Sequence, residues 1–79
     1  MSNTTELEAQ LEGIVADRLR VEAAEFDDST EFEDLEAESL DMVEIAEAIE
    51  ADVGVHIPDE DLAEIDTVAD LKSYVTAHV

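Results

Sequence analysis

The chain has 79 residues, of which 24 are Asp or Glu and 3 are Lys or Arg, for a formal net charge of −21. One small domain fits that length and a second does not, so residues 1–79 read as a single domain. The charge sets the chain against nucleic-acid phosphates and anionic membrane surfaces as partners, and the lack of cysteine removes disulfides, thiolate metal sites and a protein-borne thiol nucleophile.

Leu7, Leu11, Ile14, Val15 and Leu19 recur at helical spacing and predict a helix from about Thr5 to Arg20 with one apolar stripe. Thr5 with Glu8 has the form of a capping box at its start, and Arg18 and Arg20 suit the negative end of its dipole. Val21 to Glu38 is a long acidic connection. Phe26, Phe32 and Leu35 mark it as folded back on the core, with the two phenylalanines as pins, and Thr30 with Glu33 fits the cap of a short turn. A second helix runs from Ser39 to about Asp52, with Ile45, Ala46, Ile49 and Val53 inward and Gly54 as the left-handed residue that ends it. Val55-His56-Ile57 is extended ahead of Pro58. Pro58 opens a short third helix with Asp59, Glu60 and Asp61 at its positive end and Leu62 and Ile65 as apolar contacts. Thr67 with Asp70 caps a last helix whose inward residues are Val68, Leu71, Tyr74 and Val75. Strand signals are missing. The expected fold is all-α: a small bundle of three longer helices and one short one, with a long loop between the first two.

Catalytic signals are thin. His56 and His78 have no triad or metal partner at motif spacing, and surface roles explain both. Carboxylates are abundant, but hydrolytic acid–base work needs a pair with divergent pKa values in a pocket. Asp59-Glu60-Asp61 lacks the calcium-loop pattern, and Gly13 and Gly54 alone cannot build a glycine-rich phosphate loop. Ser39 opens the second helix in the run Glu36-Ala37-Glu38-Ser39-Leu40-Asp41-Met42-Val43-Glu44. Taken singly it is an ordinary N-cap serine, and the i, i+3 row Asp41, Glu44, Glu47 and Glu50 is a solvated face.

The order of these segments is more specific than any one of them. Phe32-Glu33-Asp34-Leu35, Glu38-Ser39-Leu40, Val55-His56-Ile57-Pro58-Asp59-Glu60 and Thr67-Val68-Ala69-Asp70-Leu71, in that order and spacing, resemble the acyl carrier protein family over nearly the whole chain. The resemblance implies a non-catalytic carrier. Its serine, here Ser39, bears 4′-phosphopantetheine transferred from coenzyme A by a separate phosphopantetheinyl transferase, and the arm's thiol holds acyl groups as thioesters. It also implies that basic patches on acyl-transferring or condensing enzymes read the second helix, through Leu40 and Val43 as apolar contacts and Glu38, Asp41, Glu44, Glu47 and Glu50 as charged ones. Ile49, Ile57, Leu62 and Ile65 would line a space for the acyl chain. A monomer is expected, and a fatty-acyl role is the default, with polyketide, aminoacyl and peptidyl carriers as alternatives that share the motif. A reading of a different class is an acidic interaction module or nucleic-acid mimic that never carries a cofactor.

Three residues depart from the family's pattern. Glu38 replaces an aspartate, keeping the charge on a longer arm. Glu36 stands where glycine is common, and Glu47 stands where the family is often apolar. The acidic excess also goes beyond what carrying needs, and a halophilic source explains it most simply. Leu, Ile, Val and Phe supply about 28% of the residues, above the roughly 20% that marks disordered chains, so the chain is foldable once repulsion is screened. Helical circular dichroism is therefore expected to fall at low ionic strength and to recover with salt or divalent cations. A flat salt titration overturns that expectation.

Overall fold

Among the described residues there are four α-helices: α1 (Asn3–Leu19), α2 (Ser39–Val53), α3 (Asp59–Leu62) and α4 (Val68–His78). The computed structural model describes residues 3–79, and their side chains from Glu6 onward. The Thr5–Glu8 capping box lies outside those side chains. The all-α class, with three longer helices and one short one, is as the sequence indicates, and the described residues form no strand beyond one isolated bridge between Glu31 and Thr67.

The apolar stripe of α1 faces inward, with Leu11, Ile14 and Val15 buried and Leu7 and Leu19 packed at its edges. Those residues meet Ile45 and Ile49 of α2 and Val68, Leu71 and Val75 of α4 in one core. Arg20 does not continue α1. It adopts a left-handed conformation (φ 60°), and the Val21 N–H reaches back to the Ala16 carbonyl at 3.0 Å, which closes the helix as a Schellman turn. Gly54 ends α2 as expected, at φ 84°, with its N–H donated to the carbonyls of Ile49 and Glu50. Val55 and Ile57 then bury into the core on an extended segment, and Pro58 precedes α3.

The long connection is held down in three ways. Phe32 is fully packed in the core, while Phe26 and Leu35 are half-buried against it. Backbone bonds run from Phe32 N–H to Asp66 O, from Val68 N–H to Thr30 O and from Ala69 N–H to Asp28 O, at 2.8 to 3.0 Å, so the loop satisfies donors at the open end of α4. The expected Thr30–Glu33 cap does not form, because the Thr30 hydroxyl engages Asp27 instead; Glu31 precedes the Phe32–Leu35 turn in its place. Ser29 and Thr30 donate to the Asp27 carboxylate and hold it below the usual carboxylate range, chiefly through the Ser29 hydroxyl and N–H.

The third pin is Lys72, whose spacing of four from Val68 and three from Val75 puts it on the inward face of α4 although its charge gives no reason to bury it. Its side chain is buried on α4, and its ammonium donates to the Asp28 carboxylate at 2.6 Å and to Glu12, so it ties the loop to α1 and α4. Burial pulls its pKa down, but the bonds to Asp28 and Glu12 outweigh that and leave it raised above the ordinary 10.5. Tyr74 is half-buried rather than fully inward: its hydroxyl donates to the Asp61 carboxylate at 2.7 Å, an interaction that raises its pKa. Lys72→Met should lower unfolding stability by about 2 kcal/mol, between exposed and buried pairs in size. A raised lysine pKa stabilises fully below the unfolded value and loses its effect only as pH climbs through the folded one. The wild-type-minus-variant difference, read by denaturant titration, is thus expected to be constant from about pH 6 to 9 and to shrink above roughly 10.5.

Candidate functional site

The start of α2 is built differently from an ordinary serine cap. Glu38, extended at φ −95° and ψ 171°, is the N-cap and Ser39 the first helical residue. The Asp41 carboxylate turns back to accept the Glu38 N–H at 2.9 Å. Capping therefore does not draw on Ser39. Its hydroxyl is exposed and takes no hydrogen bond from or to the described residues, at the helix end where free N–H groups and the dipole favour an anion.

An α-helix turns about 100° per residue, so each i, i+3 step falls about 60° short of a full turn. Asp41, Glu44, Glu47 and Glu50 accordingly fan over about half the circumference of α2, from Asp41 at the edge of the Ile45–Ile49 stripe round the outer side to Glu50, and do not form one straight row. Asp41 and Glu44, both half-buried, border a groove on the α1 side. Glu47 points straight outward, and Glu50 lies within 3.1 Å of His56 Nδ1 beyond the end of the helix. Leu40, 66% exposed, and Val43 lie between them as the large apolar side chains open to solvent on α2. The other histidine, His78, stacks on Tyr74 at 4.1 Å.

On the α3 side the same helix start borders an apolar crevice of about 290 Å³ lined by Ser39, Met42, Val43, Asp59, Leu62, Ala63 and Ile65. Of the residues expected around an acyl chain, Leu62 and Ile65 line this crevice. Ile49 and Ile57 are buried in the core and do not line it. Met42, Val43, Asp59 and Ala63 were not expected there; the legible signal was that Met42 and Val43 follow Ser39 by three and four residues, on one helix face. Glu36 closes the turn before the motif in a left-handed conformation (φ 60°, ψ 31°), its N–H bonded to Glu33 O at 3.0 Å. The loop thus makes the turn that glycine would ease, at a cost of about 1–2 kcal/mol for a side chain in that region. Among the described residues no helix is long and apolar enough to cross a membrane.

A helical bundle that presents an unengaged serine at a helix N-terminus beside an apolar crevice has the form of a carrier for a covalent arm. Residues 9–75 match the family described as a phosphopantetheine attachment site. The chain is 40% identical over 76 residues to the acyl carrier protein of Rickettsia typhi, covering 95% of this chain and 88% of that one. It is 43% identical over 70 residues to the acyl carrier protein of Clostridium perfringens, covering 87% and 92%. The chain belongs to the acyl carrier protein family. It is accordingly a carrier and not an enzyme, it works through covalent 4′-phosphopantetheine, and its partners are the transferases and synthase enzymes that such carriers serve. Replacing the strained left-handed residue, Glu36→Gly, is expected to raise stability by about 0.5–1 kcal/mol, the relief of strain less the added freedom of the unfolded chain. Thermal unfolding at fixed salt reads this, and a lowered midpoint overturns it.

Proposed function

We propose that Ser39 carries the phosphopantetheine arm and that the chain, as one domain over residues 1–79, shuttles fatty-acid-type acyl groups. The observation that carries the assignment is the unengaged Ser39 hydroxyl, left free because Glu38 and Asp41 cap α2 in its stead. When bound, the arm supplies a thiol that holds acyl groups as thioesters, chemistry that this cysteine-free chain lacks. The residues of the chain hold and present it. The N–H groups at the start of α2 face the phosphodiester, and Met42, Val43, Leu62 and Ile65 offer an alkyl chain an apolar wall beside the serine. Ile49 and Ile57 lie deeper, reached only by a chain that parts α2 from α3.

Leu40 and Val43 are the apolar contacts for partner enzymes, and Glu38, Asp41, Glu44, Glu47 and Glu50 the charged ones. Carboxylates fanned over half a cylinder attract basic patches from a range of approach angles, which speeds encounter and allows release. That suits a monomer visiting several enzymes. The names of the relatives above favour acyl cargo, and the apolar lining of the crevice favours an alkyl chain. The remaining acidic surface reads as adaptation to molar salt, in a halophile's cytoplasm, where screening shortens to about 3 Å.

Incubation with coenzyme A and a phosphopantetheinyl transferase should add one phosphopantetheine by intact mass, and Ser39→Ala should add none. No gain on the wild-type chain overturns the assignment. Because Ser39 is not the cap, Ser39→Ala should also leave the unfolding free energy within about 0.5 kcal/mol of wild type, whereas losing a true cap costs about 1 kcal/mol.

A further inference from the structure

Three cations serve the whole chain, and Lys72 is consumed inside the fold. The other two, Arg18 and Arg20, are both exposed, and both border one groove of about 440 Å³ that also takes in Leu35, Glu36, Asp41 and Glu44. This groove flanks the start of α2 on the side opposite the apolar crevice. The carboxylates that share it do not neutralise the arginines: among the described residues neither guanidinium lies within ion-pair distance of an acid, and the Asp41 carboxylate is turned to the Glu38 N–H. Ten N–H donors thus stand without a protein acceptor among the described residues, beside one groove of an otherwise anionic surface. Arg18 also suits the negative end of α1, but Arg20 lies past the helix, in a left-handed conformation that disfavours any side chain.

We infer that Arg18 and Arg20 are the carboxylate-binding half of a docking face of two signs, and that their occupant is an Asp or Glu on the enzyme that modifies Ser39. This rests on the assignment of Ser39. An enzyme acting on that hydroxyl must cover the start of α2, and the groove reaches Asp41, two residues away. Its basic patch meets the fanned carboxylates of α2 while its acid meets the arginine pair. One sign alone would hold a basic surface at many rotations about α2. The second sign, set off to the α1 side, selects one of them, because a rotated partner places like charges together.

The sign of a charge reversal tests this. Arg18→Glu with Arg20→Glu makes the chain more negative, so a partner steered by overall field binds it equally or more tightly. The two-sign face requires the opposite: a Kd for the phosphopantetheinyl transferase weakened roughly tenfold. Part of that loss should persist at 1 M salt, where the Debye length is about 3 Å and direct contact outlasts the long-range field. Unfolding midpoints are compared first, and Arg18→Gln with Arg20→Gln, expected to weaken binding less, serves if the reversal perturbs the fold. An unchanged or tighter Kd for the reversed chain overturns the inference. Loading of the wild-type chain, read by mass, reports on Ser39 and not on the arginines, so the two can fail separately.

Discussion

The position of α2 depends on how the connection from Val21 to Glu38 is fastened. Left free, a segment so rich in carboxylates would be pushed off an equally acidic body. Two kinds of contact prevent this. The Lys72 ammonium sits between Asp28 and Glu12 and turns a repulsive junction of loop and α1 into an attractive one. The backbone bonds to Asp66, Val68 and Ala69 are insensitive to charge altogether. Phe32 then anchors the turn from which Glu36 and Glu38 lead into the helix. A serine delivered by this path has a fixed place relative to the crevice beside α3.

From that start, α2 does three tasks on three faces. Ile45, Ala46, Ala48 and Ile49 belong to the core. Met42 and Val43 look toward α3 and its crevice, while Asp41 and Glu44 look toward α1 and its arginines. The helical twist makes this division unavoidable, since residues three apart drift about 60° per step. Acidic side chains placed at that interval spread over an arc of about half the helix circumference.

Much of this was legible in the amino-acid order. Apolar spacing placed the helices because burial drives them, and Gly54, Pro58 and the Thr67–Asp70 pair marked ends where backbone chemistry is local. Ser39 stood out through the order of the segments around it. What stayed hidden involves residues distant in sequence. Lys72 meets Glu12 and Asp28 only after folding, and a hydrophobicity pattern assigns every lysine to the outside. The role of Thr30 turned on a competing acceptor at Asp27, and the cap at Glu38 on which way the Asp41 side chain rotates. The family resemblance groups Ile49 and Ile57 with Leu62 and Ile65; that only the last two border the crevice follows from packing, which the amino-acid order does not display.

The backbone bonds between the loop and the first turn of α4 have a consequence for the way the molecule opens. Val68 and Ala69 donate to Thr30 and Asp28, and Phe32 donates to Asp66, so neither partner can leave without exposing the other's amides. Loop and helix therefore form a single cooperative unit, separated by tens of residues in sequence but joined in local unfolding. The piece between α2 and that unit, from Val55 through α3, is held in another way, by the buried side chains of Val55, Ile57 and Leu62 and by the Tyr74 hydroxyl on Asp61.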